Sequence, residues 1–144
     1  MEHNIVIHSD GGARGNPGPA AIGAVIEANG KKYEISKCIG STTNNVAEYK
    51  AIAEALKKAV AVIGKGNAKQ AKVACYLDSE LVVKQLNREY KIKEPQLFPY
   101  FIEISNMRLD FSEINFFHVR REQNKRADQL VNMALDQPSC KQLF

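Results

Sequence analysis

The stretch Asn4-Ile5-Val6-Ile7-His8-Ser9-Asp10-Gly11-Gly12 decides the fold class. Ile5 and Ile7 share one face and Val6 takes the other, which is strand periodicity, and the strand is predicted to end at Asp10. After a loop over 11–19, residues 20–27 and 32–39 read as two further strands joined around Asn29-Gly30, a dipeptide suited to a tight hairpin. Three antiparallel strands in succession are therefore expected.

At residue 45 the period changes. Ile52, Leu56, Ala59 and Ile63 recur at helical spacing, and Gly64-Lys65-Gly66-Asn67 stops the helix. Residues 72–77 make a fourth strand ending at Asp78, and Ser79 is placed to cap a short helix carrying Leu81, Val82 and Leu86. Residues 89–99 are polar and proline-bearing. Beyond them 100–109 is predicted helical through Phe101, Ile104 and Met107, 113–119 is a fifth strand, and Ala127, Leu130, Val131 and Ala134 mark a last helix. The fold class is α/β (α+β): a mixed five-stranded sheet, three antiparallel strands followed by parallel additions, flanked by helices.

With 144 residues, 44% of them hydrophobic, the chain can build one core and lacks the length for two. Residues 1–136 read as that domain and 137–144 as a tail, with Leu143 and Phe144 available to dock on the body. No run approaches the roughly 18 apolar residues of a membrane span and no secretion pattern opens the chain, so a cytoplasmic monomer with no membrane partner is expected. Cys38, Cys75 and Cys140 are odd in number and far apart. They read as thiols in a reducing compartment, with a Cys140 bridge tying down the tail as the alternative. A net charge of +4 is compatible with a polyanionic partner, and Arg120, Arg121, Lys125 and Arg126 gather beside Asp128.

Four acids fall where strand ends and helix starts meet, the places where sheets of this kind build sites: Asp10, Glu48, Asp78 and Asp128. Each has an ordinary alternative. Asp10 could open a turn, Glu48 could complete a capping box with Asn45, and Asp78 and Asp128 could serve helix starts. Glu48 strains its alternative, because it lies four residues before Ile52 on the stripe that faces the sheet. Converging anions repel one another unless cations neutralise them. An oxygen-only cluster suits Mg²⁺ or Mn²⁺, whereas His3, His8 and His118 form no metal-spaced pair.

The run Ile7-His8-Ser9-Asp10-Gly11-Gly12-Ala13-Arg14-Gly15-Asn16-Pro17-Gly18-Pro19 resembles the first-strand signature of type 1 ribonucleases H, and Thr42-Thr43-Asn44-Asn45-Val46-Ala47-Glu48 resembles their first-helix signature. Leu77-Asp78-Ser79 and Asn124-Lys125-Arg126-Ala127-Asp128 are similar to the remaining two elements, in the family's order, over residues 5 to 135. The resemblance implies a ribonuclease H-like fold in its compact form, without the basic protrusion or a separate hybrid-binding domain. It implies endonucleolytic hydrolysis of the RNA strand of RNA/DNA hybrids, leaving 5′-phosphate and 3′-hydroxyl ends. Asp10, Glu48, Asp78 and Asp128 would be the catalytic residues and the ligands of two Mg²⁺ ions, with Mn²⁺ as a substitute. Gly11, Gly12, Asn16, Asn44 and Asn45 would lie along the minor groove, where 2′-hydroxyls mark the RNA strand, and Thr43 would meet a phosphate of the DNA strand.

Departures from the pattern set further expectations. Many bacterial members carry a histidine in the loop before the last aspartate; residues 119–124 contain none, leaving Arg121 or Glu122 as candidates for its place. Glu80 stands where many relatives have a glutamine that touches RNA. Lys84, Arg88, Lys91 and Lys93 retain part of the charge of the missing protrusion. The rival readings are a nuclease of the same fold that also cuts double-stranded RNA, a non-catalytic hybrid-binding module, and an exonuclease or resolvase. Exonucleases of this fold place a second acid two residues after the first, where this chain has Gly12.

Overall fold

The computed structural model describes residues 4–141; His3, Leu143 and Phe144 lie outside the described residues. The first strand, β1 (Asn4–Ala13), does not end at Asp10. It continues antiparallel to β2 (Gly18–Ala28), with Asp10 opposite Gly23, Gly11 opposite Ile22 and Gly12 opposite Ala21. The glycines that read as a turn are strand residues, and the turn comes at residues 14–17, where Gly15 takes a φ of 98°.

β2 passes through Asn29 and Gly30, both at positive φ (54° and 74°), into β3 (Lys31–Thr42), as the hairpin dipeptide predicts. Then come α1 (Asn44–Ile63), the single turn α2 (Lys65–Ala68), β4 (Lys72–Leu77), α3 (Glu80–Leu86), α4 (Phe98–Met107), β5 (Glu113–His118), α5 (Lys125–Leu135) and α6 (Pro138–Lys141). The sheet order is β3-β2-β1-β4-β5, with β4 parallel to both β1 and β5. The expected mixed sheet is the one formed.

α1 starts one residue earlier than its apolar spacing predicts. Its cap is Thr43, not Asn45: the Thr43 hydroxyl accepts from the Val46 N–H at 3.2 Å, and a second residue N-terminal of Glu48 is thereby left free for other contacts. α4 begins at Phe98 instead of residue 100, because Pro99 fits the first turn of a helix, where its missing N–H is not needed.

The main core lies between α1 and one face of the sheet. Ile5, Ile7, Ile26, Val73, Cys75, Leu77 and Phe116 meet Tyr49, Ile52 and Leu56 there. A smaller cluster on the opposite face joins Ala21 to Val131, Ala134 and Leu135 of α5. A side chain at Gly23 would overlap the Ala127 carbonyl and Leu130 Cβ, so the glycine lets α5 ride close on β2. Ser36 fastens the contact by donating to the Leu130 carbonyl at 2.6 Å.

The thiol reading of the cysteines is corrected for two of the three. Cys38 of β3 and Cys140 of α6 form a disulfide, while Cys75 is free and buried. Residues 138–141 are thus a helical turn bonded to the sheet edge, and Cys140 is fully buried. The cysteine spacing in sequence carried no sign of this, because pairing depends on the register of β3 against α5. No helix among the described residues is long and apolar enough to cross a membrane.

Candidate active site

β1 and β4 run parallel with His8 opposite Tyr76, so Asp10 and Asp78 each stand two residues past that pair. They come side by side at the same end of the sheet. Glu48 enters from the first turns of α1 on its buried stripe. Asp10, Glu48 and Asp78 each offer one oxygen, and these oxygens all lie within 4.8 Å of one another. Asp128, near the start of α5, stands at the rim: it lines the same cavity of about 330 Å³ but is not part of the tight trio.

Two close contacts set this geometry. A Cβ on Gly11 would collide with the Ala47 carbonyl and the Glu48 N, so glycine here lets α1 settle against β1 and brings Glu48 over Asp10. On the other side Asn124, buried at the start of α5, donates its Nδ2 to the Ser9 carbonyl at 2.8 Å and ties the helix bearing Asp128 to the strand bearing Asp10. Asn124 was quoted above only as part of a motif; the positioning role becomes visible once Ser9 is found beneath it.

The electrostatics are those of crowded, buried anions. Burial, then the charge of Asp78, pushes the Asp10 carboxyl up to about 7. Glu48 is raised well above the ordinary carboxylate range by burial and by Asp10 and Asp78, with the Gly11 backbone offsetting part of this. Asp78 is also raised by burial, opposed by the guanidinium of Arg121. Glu48 Oε2 is buried without a hydrogen-bond partner among the described residues. A donor set made only of carboxylate oxygens, with one oxygen orphaned and the charges mutually repelling, fits a hard divalent cation. The ordinary helix-start reading of Glu48 does not account for that orphaned oxygen.

The other expected residues are distributed unevenly. Gly11, Gly12, Asn44 and Arg121 line the cavity with the carboxylates, whereas Glu122 is not among its lining. Asn16 and Asn44 brace the approach: Asn16 Oδ1 accepts from the Asn44 N–H at 3.0 Å, and Asn44 Oδ1 accepts from the Ala13 N–H at 2.9 Å. Asn45 instead donates its Nδ2 to Glu94 at 2.9 Å. Of the basic residues beside Asp128, Arg126 is engaged with both oxygens of Glu34 at 2.6 and 2.9 Å. Glu80 pairs with Lys84 at 2.9 Å. His118, paired with Leu77 in the sheet, lies close enough to Asp78 to favour its ionised form, a contribution that its strand position alone did not announce.

Residues 8–134 match the family described as Reverse transcriptase-like. The bifunctional protein Rv2228c of Mycobacterium tuberculosis is 40% identical over 135 residues, which is 92% of this chain and 35% of that protein. Ribonuclease HI of Halobacterium salinarum is 39% identical over 129 residues, 88% of this chain and 62% of that one. The chain therefore spans about a third to three fifths of the length of these curated relatives. Among solved structures, LC11-RNase H1, isolated from compost by a metagenomic approach, aligns with a TM-score of 0.84 at 46% identity, covering 92% of this chain and 96% of that one. The crystal structure of LC11-RNase H1 in complex with RNA/DNA hybrid gives 0.85 at 45% identity, with the same coverage of both chains. With a family match along most of its length and this likeness to a whole ribonuclease H domain, the chain belongs to the Reverse transcriptase-like family and, within it, to the type 1 ribonucleases H.

Proposed function

We propose that this chain is a divalent-metal-dependent endoribonuclease that hydrolyses the RNA strand of RNA/DNA hybrids to 5′-phosphate and 3′-hydroxyl ends. The observation that carries the reading is the convergence of Asp10, Glu48 and Asp78, their oxygens mutually within 4.8 Å at one end of the sheet. Asp128 at the cavity rim is the fourth acid of the proposed site. A solved relative in complex with RNA/DNA hybrid supports the choice of substrate.

In this reading Asp10, Glu48, Asp78 and Asp128 hold two Mg²⁺ ions, with Mn²⁺ able to substitute. Such ions, when bound, activate a water and stabilise charge on the leaving oxygen. The chain supplies the rest. Gly11 keeps Glu48 pressed against β1, Asn124 holds α5 and its aspartate in reach, and Asn16, Thr43, Asn44 and Asn45 orient the duplex along the start of α1. Arg121 lies beside Asp78 and takes the auxiliary place; Glu122, off the cavity, is the weaker candidate for it. Residues 1–136 form the proposed catalytic unit, acting as a monomer, with 137–144 as an appended tail. Cytoplasmic residence is the element of the reading that the Cys38–Cys140 bridge weighs against, since disulfides persist mainly in oxidising compartments.

The test is cleavage of labelled RNA/DNA hybrid beside duplex RNA, duplex DNA and single strands, with Mg²⁺, with Mn²⁺ and with chelator. Metal-dependent cutting of the RNA in the hybrid is expected. Asp10→Asn removes charge without changing shape and should abolish cutting while hybrid binding persists; a variant that cuts at the wild-type rate overturns the mechanism. Hybrid binding without cleavage under any metal would instead make the domain a binding module, and cutting of duplex RNA would widen its substrate range.

A further inference from the structure

Three asparagines gather at the start of α1, where Asn44 lines the cavity, Asn16 bonds to it and Asn45 follows it, and the chemistry of their partners forces the orientation of each amide. Asn16 Oδ1 accepts from the backbone N–H of Asn44, and Asn44 Oδ1 accepts from the backbone N–H of Ala13. A backbone N–H only donates, so both residues have committed a carbonyl oxygen and keep their Nδ2 groups for a ligand. Asn45 is the reverse. Its partner, Glu94 Oε1, is a carboxylate oxygen, which only accepts, so the Asn45 Nδ2 is committed at 2.9 Å and its Oδ1 is what remains.

Glu94 is itself held. Its second oxygen accepts from Gln96 Nε2 at 2.9 Å, and Pro95 follows it directly, opening the 3₁₀ turn Pro95–Leu97. Beneath this pair the buried Tyr49 hydroxyl donates to Gln85 of α3 at 2.8 Å, which fixes the α1 turn carrying Asn45 against its neighbours. A carboxylate has no proton to offer as a donor, and a flip of the Asn45 amide would set its Oδ1 against Glu94 Oε1 and leave that oxygen without its donor.

We propose that Glu94 is a specificity-determining positioning residue: by holding the Nδ2 of Asn45, it makes Asn45 an acceptor-only contact beside two donor contacts, Asn16 and Asn44. This rests on the reading that the start of α1 lies along a hybrid minor groove. The ligand group selected by Asn45 is a hydrogen-bond donor on that groove. Two sources carry one: the 2-amino group of guanine, which is the groove's one base donor, and a ribose 2′-hydroxyl.

The test scans hybrids that carry single inosine substitutions, lacking the 2-amino group, and single 2′-fluoro substitutions, lacking the hydroxyl donor, and records relative cleavage rates against the unmodified hybrid. Wild type should show about a threefold to tenfold loss at one register position for one of the two modifications, the worth of one hydrogen bond, and the modification that does so identifies the source. Glu94→Gln offers a donor and an acceptor, lets the Asn45 amide turn either way, and should remove most of that discrimination. The double variant Glu94→Gln with Asn45→Asp rebuilds the pair with donor and acceptor exchanged and the charge unchanged, and should restore it. Because each readout is a ratio within one variant, a general loss of stability does not imitate it. Wild-type cutting that is indifferent to both modifications at every position, or Glu94→Gln with undiminished discrimination, overturns this inference alone. A wild-type protein that cuts no hybrid overturns the ribonuclease reading beneath it.

Discussion

Asn124 Nδ2 donates to the carbonyl of Ser9 at 2.8 Å, so the residue just before Asp10 and the residue four before Asp128 are joined by one buried hydrogen bond. Neither carboxylate takes part, yet the bond sets how far α5 stands from the end of β1. Asn124→Ala removes this buried donor from the Ser9 carbonyl and should cost about 1–3 kcal/mol, read as a lowered midpoint in urea. It should also weaken divalent-ion binding by calorimetry. Unchanged ion affinity in a destabilised variant would separate the bond from the site.

Asp10 and Glu48 make the protein's stability depend on pH in an unusual direction. Between the ordinary carboxylate value and about 7, folded Asp10 keeps a proton that the unfolded chain has released. Stability in chelator should therefore fall as pH rises from about 4 to 7, with Glu48 acting in the same sense, by on the order of 2–4 kcal/mol. Divalent ions should reverse the loss above pH 7, and Asp10→Asn should flatten the profile. Melting curves across pH, with chelator and with Mg²⁺, give the sign directly; a rise in stability with pH in chelator contradicts it.

Gly11 and Gly12 look interchangeable in sequence and are not so in space. A Cβ at Gly11 overlaps the α1 backbone, whereas one at Gly12 meets Val131 Cγ1 at an ordinary 3.7 Å. Gly11→Ala should lower stability by roughly 2 kcal/mol or more by forcing α1 off the strand. Gly12→Ala should melt close to wild type. Equal melting temperatures for the two variants would contradict the close approach of α1.

The Cys38–Cys140 bridge spans 102 residues of chain, a separation at which cross-linking restricts the unfolded state strongly. Reduction, or Cys38→Ser, should cost about 4 kcal/mol, and the serine variant should no longer respond to dithiothreitol. Cys75 should stay unlabelled by alkylating reagents until the protein unfolds, since burial holds its thiol up to about 12.

The four acids stood out because each falls where a period ends or begins, and the antiparallel start and parallel additions of the sheet followed from the Asn29-Gly30 hairpin and the intervening helices, while the strand order β3-β2-β1-β4-β5 did not. Local rules failed where two residues competed for one role. Asn45 and Thr43 both suit a helix cap; Thr43 takes that role, and Asn45 bonds Glu94, which lies 49 positions away in a polar loop without periodicity. Gly11 and Gly12 read as a turn, but both are strand residues, and the requirement for glycine at Gly11 comes from α1 packing on the strand and not from chain reversal. The disulfide was illegible for a similar reason, because nothing local to Cys38 or Cys140 records that α5 delivers one to the other.

That same bridge closes residues 38–140 into a covalent ring. Glu48, Asp78 and Asp128 all lie on it, while Asp10 belongs to the open arm that precedes it. A single backbone cut between 39 and 139 leaves all four acids covalently tethered, because both pieces stay joined through the disulfide, whereas a cut between 13 and 37 frees Asp10 alone. The site is in this sense a ring and a thread, and the thread is the part that a single cut can detach.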